Sequence, residues 1–156
     1  MNEEYIKKYC ELIIKVGVNL YKGQSLMIGS SVQNSDFALE LADTAYKAGA
    51  KHVELLYISN KLKKSKIDHT VNSGDLEFIP AFYINRMHEA IASDWAFIRI
   101  DNLEEIDELK SADEKARYYH EKGTGADHSD VKCCFYRKVC WCIVAAPGPQ
   151  WAAKSF

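Results

Sequence analysis

The sequence is short of several features that would narrow its role at once. It has 3 prolines and 8 glycines among 156 residues, and no repeat or low-complexity tract. Its longest strongly apolar run, Cys140 to Pro147, is far below the roughly 20 apolar residues a membrane-spanning helix needs. No Gly-Lys-Ser/Thr loop occurs, so nucleotide hydrolysis has no support. Neither charge dominates: 20 Lys and Arg face 22 Asp and Glu, a net charge of -2, which supplies no bulk field to draw in nucleic acid or an anionic membrane. The start, Met1-Asn2-Glu3-Glu4-Tyr5, is acidic and lacks the basic opening and apolar centre of a secretory signal. Together with the odd count of 5 cysteines, which suits reduced thiols better than a disulfide framework, this predicts a cytoplasmic protein.

What is present suits one α/β domain over residues 1–156. Hydrophobic residues make up 47% of the chain and aromatic residues 12%, enough to bury a core. Ile6, Tyr9, Ile13, Val16 and Leu20 recur at helical steps, and Asn2, Glu3 and Glu4 suit a helix start, so a helix is expected over residues 3–21, closed by Lys22-Gly23-Gln24. Leu26-Met27-Ile28 reads as a buried strand. A second helix fits Asp36 to Ala48, with Phe37, Leu41, Ala45 and Ala48 as its apolar stripe, Asn34 or Ser35 as cap and Gly49 as terminator. His52 to Ile58 reads as the next strand, which gives a strand, helix and strand within about thirty residues, the spacing of a right-handed parallel crossover. A third helix is expected over 75–92, with Pro80 tolerable only near its first turn or at a kink. Strands follow at 95–100 and 139–145. Between them, residues 111–122 read as helical and Gly123 to Asp130 as a loop. The alternation predicts a layered, mostly parallel sheet with flanking helices.

None of the chemistry-bearing clusters makes a full signature. His88-Glu89 begins like a zinc-protease helix, yet Ala92 stands where the second His must fall to share the metal. A partly exposed His beside a solvated Glu is the better reading. Gly123-Thr124-Gly125-Ala126-Asp127-His128 has two glycines of a dinucleotide fingerprint but His128 in place of the third, and reads as a surface loop. Cys133, Cys134, Cys140 and Cys142 are close enough to suggest zinc, but their spacing fits small buried hydrophobes better, with Cys140 and Cys142 sharing one strand face. His120, Asp127, His128 and Asp130 could supply nitrogen and oxygen ligands, but three of the four sit in a loop whose geometry the sequence does not fix, and solvated loop residues are the better reading. Asp101, Glu104, Glu105, Asp107 and Glu108 follow a strand end, where α/β proteins bind ligands, though acidic residues opening a helix explain them as well. Lys61, Lys63, Lys64 and Lys66 read as a solvated helical face with the capacity to hold an anion.

Three longer segments say more. Tyr9 to Gln24 (YCELIIKVGVNLYKGQ), Ala45 to Val53 (AYKAGAKHV) and Val144 to Ala152 (VAAPGPQWA) resemble, in order, the amino-terminal part of the aminopeptidase T, S and II family. The resemblance spans nearly the whole chain and weakens between Asn102 and Lys138. It implies the amino-terminal α/β domain of a longer, two-domain metalloaminopeptidase, whose second domain holds two divalent cations, zinc, cobalt or magnesium. Those ions activate water and polarise the scissile carbonyl of an amino-terminal peptide bond.

The ligand segments have no counterpart here, so no catalytic, cofactor-binding or metal-binding residue carries over. The chain alone is expected to be inactive, with peptide as the full enzyme's substrate and a homodimer as its state. The close on Trp151-Ala152-Ala153-Lys154-Ser155-Phe156 is read as truncation. The competing expectation is a stand-alone α/β module binding a small anion near Gly29-Ser30-Ser31 or the lysine patch. A regulatory cysteine metal site is a third.

Overall fold

The helix expected over residues 3–21 shows how local sequence and packing compete. In the computed structural model, which describes residues 3–101 and 136–146, helix α1 runs Glu3–Leu12 and then widens into a π-helical turn, Ile13–Gly17. The Val18 amide donates to Ile13 O at 3.0 Å, a bond spanning five residues instead of four. Asn19 then takes the left-handed conformation at φ 47°, ending the helical run before Tyr21. One extra residue in the turn rotates the following side chains by about 100°. The buried stripe therefore becomes Cys10, Ile13, Ile14 and Val18, while Val16 is left 70% exposed. The expected role of Val16 on that stripe is overturned for this reason. Helix α1 also carries the exposed pairs Glu4–Lys8 and Glu11–Lys15, spaced one turn apart.

Strand β1, Ser25–Ser31, is longer than the Leu26-Met27-Ile28 segment expected and buried at every position. It lies inside a sheet ordered β2-β1-β3-β4, where β2 is His52–Ile58, β3 is Ala96–Asp101 and β4 is Cys140–Ala145. Every pairing is parallel, with Leu26 opposite both Val53 and Ala96, and Phe97 opposite Trp141. This confirms the layered α/β class, and burial on both faces of the sheet explains why Leu26-Met27-Ile28 reads as an unbroken apolar run with no polar alternation.

Helix α2, Ser35–Lys47, connects β1 to β2 and buries Phe37, Ala38, Leu41, Ala42 and Ala45. Its small residues let it lie close to the sheet. A 3-10 turn, Val32–Asn34, runs straight into it, and Asn34 makes no capping side-chain bond. At its far end Gly49 sits at φ 96°, with the Gly49 amide on Tyr46 O and the Ala50 amide on Ala45 O. That pair of bonds is the Schellman arrangement a left-handed glycine permits.

The helix expected over 75–92 is divided. A short helix α3, Asn60–His69, precedes a one-turn α4, Ser73–Leu76, and α5 begins only at Ala81 and runs to Ala92. Pro80 stands just outside α5 at φ −58° and ψ 137°. The proline ring disfavours helical geometry at the residue before it, which explains the break.

Two cores flank the sheet. On one face Leu26, Ile28, Ala96, Ile98, Ile100 and Val144 meet α1, the π turn and α2. On the other, Met27, Phe97 and Trp95 meet Met87, Ala90 and Ile91 of α5. The amino ends of the strands are tied by Gln24, only 3% exposed: its side chain accepts from the Tyr21 amide at 3.3 Å and donates to Asp94 O at 2.9 Å. Among the described residues no helix is long and apolar enough to cross a membrane. The Asn2 cap, the 111–122 helix and the 123–130 loop lie outside the described residues.

Candidate functional site

In an open parallel sheet, ligands bind outside the carboxyl ends of the strands, where the strand order turns back on itself. Here that point lies between β1 and β3, because the chain leaves β1 for β2 on one side and returns to β3 on the other. The residues brought there are Gly29, Ser30 and Ser31 from β1 and Arg99 and Asp101 from β3, with Gly29 in register with Arg99. Parity along the strands puts Gly29, Ser31, Arg99 and Asp101 on one face of the sheet. Arg99 Nη2 donates to Asp101 Oδ1 at 3.0 Å, and both side chains are about half exposed. A pair so placed adds little stability and serves chiefly to hold the guanidinium at the strand end.

The two serines differ. The Ser30 hydroxyl donates to Ser31 O at 3.1 Å. Ser31 is 4% exposed, yet its Oγ has no hydrogen-bond partner. Its backbone, at φ −89° and ψ 160°, has the extended geometry of a residue that opens a helix, and the helical run from Val32 to Lys47 begins directly after it. A serine in that position normally accepts from an amide two or three residues on. This one makes no such bond.

Other candidate residues are dispersed. His88 and Glu89 lie exposed on α5, with Glu89 accepting from the Ser93 hydroxyl at 2.8 Å, which agrees with a solvated pair. The lysine group falls on α3, where Lys64 pairs with Asp68 and only Ile67 is buried. Cys140 and Cys142 do share a strand face, but only Cys142 packs against the core. Cys140 is exposed, which corrects its expected burial: it opens β4, the edge strand of the described sheet, where fewer neighbours flank a side chain. Burial raises the Cys142 thiol above its ordinary value and pushes Cys10 up to about 12, with Glu40 adding to the second shift. Both stay protonated near neutrality, which suits apolar packing and not metal ligation. Among the described residues no group of three His, Cys, Asp or Glu side chains is placed to hold a metal. Cys133, Cys134, Glu104, Glu105, Asp107, Glu108, His120, Asp127, His128 and Asp130 lie outside the described residues.

Sequence reasoning missed Gln24 and Arg99. A Gln at the start of an apolar strand signals a buried polar clamp, whereas nothing in the order of residues pairs Arg99 with the end of β1. The three long segments, distant in sequence, meet in space. The Gly23 amide donates to Gly49 O at 2.8 Å, and the Tyr9 hydroxyl reaches Ala145 O at 3.4 Å.

Comparison with known proteins matches the same framework. The profile of a thermophilic metalloprotease family, M29, aligns with residues 2–156. Aminopeptidase 2 of Geobacillus stearothermophilus is 30% identical over 155 residues, 99% of this chain and 37% of that protein. Aminopeptidase AmpS of Bacillus subtilis (strain 168) is 29% identical over 152 residues, 97% of this chain and again 37% of its relative. The solved structure of wild-type AmpT from Thermus thermophilus shares the fold at a TM-score of 0.84, with 23% identity, covering 98% of this chain and 38% of that one. The chain thus spans little more than a third of the length of these relatives.

Proposed function

Because this chain belongs to the thermophilic metalloprotease (M29) family, we propose that it forms the amino-terminal α/β domain of a metal-dependent aminopeptidase that removes amino-terminal residues from peptides. The observation that carries this reading is a family match running the length of the chain, residues 2–156, together with relatives named as aminopeptidases. The domain acts as scaffold and as part of the cleft wall. The full enzyme, in this reading, is a cytoplasmic homodimer using two divalent ions, with zinc, cobalt and magnesium as the candidates.

The described residues do not fit those ions. Cys10 and Cys142 are thiols held in the neutral form, His69 Nδ1 is engaged with Ser65 O at 2.8 Å, and His52 stacks edge-on against Trp95 at 5.6 Å. No catalytic step is assigned to them, and in this reading the metal ligands belong to a separate part of the full polypeptide. The test is hydrolysis of aminoacyl chromogenic substrates by the purified 156-residue chain in the presence of each divalent ion. No turnover is expected. Turnover abolished by a chelator would refute the assignment of the chemistry to another domain.

A further inference from the structure

We draw no further inference here: the strongest candidate, the exposed patch at the start of α5 where Phe82 and Tyr83 stack on each other and on Arg86, which pairs with Glu54 of β2, carries nothing because nothing in the structure shows what covers it.

Discussion

Replacing Gly17 by alanine tests whether the π turn exists to let α1 pass close to β4. A methyl built on Gly17 would lie 3.2 Å from Cys142 Sγ and 3.8 Å from Ile13 Cγ2. Carbon contacts are most favourable near 3.5–4.0 Å, so the Sγ contact is too short by several tenths of an ångström. Gly17 has no positive φ, so alanine itself is conformationally acceptable there and should contribute about 1 kcal/mol through helix propensity. Displacing Cys142 from a packed position should cost about 2 kcal/mol, within the usual range for overpacking. The native chain carrying Gly17→Ala is therefore expected to lose about 1 kcal/mol. In a Cys142→Ala background the obstruction is gone, and the same change should instead gain about 1 kcal/mol. The coupling, about 2 kcal/mol, is read from a double-mutant cycle of urea unfolding curves. Equal effects of Gly17→Ala in both backgrounds, within about 0.5 kcal/mol, would refute the close-approach argument.

Three further outcomes are expected. Gln24→Leu removes two part-buried hydrogen bonds, to the Tyr21 amide and Asp94 O, and should lower stability by about 1 kcal/mol, measured by the shift of the urea midpoint at unchanged slope. For the thiols, burial favours the neutral form of Cys10, raised from 9.0 to about 12. The unfolded chain ionises first as pH rises, so this contribution to stability is complete below pH 9.0 and declines between there and about 12. An unfolding series across that window should show the decline, and Cys10→Ala should flatten it. At pH 8, alkylation should mark exposed Cys140 well before Cys10, and equal rates in the folded chain would contradict the burial described.

Much of this fold was legible because its signals are local. Gly49 closes α2 where a left-handed residue is needed, and the apolar run of β2 has the bounds His52 to Ile58 observed. The misreadings came from packing. The periodicity of Ile13, Val16 and Leu20 matches an ordinary helix, whereas the π turn that leaves Val16 exposed packs against Cys142 of β4, a contact distant in sequence. Pro80 was seen as a constraint, but where the helix would restart depended on its predecessor. At the candidate site, Gly29-Ser30-Ser31 was visible as a possible anion contact, whereas Arg99 was not, since its proximity depends on parallel register with a strand some seventy residues earlier. That Ser31 fails to cap its own helix is a matter of side-chain geometry, which residue type alone does not specify.

The inner position of β1 also shapes the order in which the protein can assemble during synthesis. β1, α2 and β2 leave the ribosome as a contiguous unit and can pair early, but the other edge of β1 waits for β3, and the far edge of β3 waits for β4 at residues 140–145. Closing such long segments costs entropy before any contact repays it, so those pairings come late. Through that interval a strand buried at every position in the finished sheet presents an unpaired edge. The nascent chain is thus most prone to aggregate in the time between making β1 and making β3, and it is then that a holding chaperone would have the greatest effect on yield.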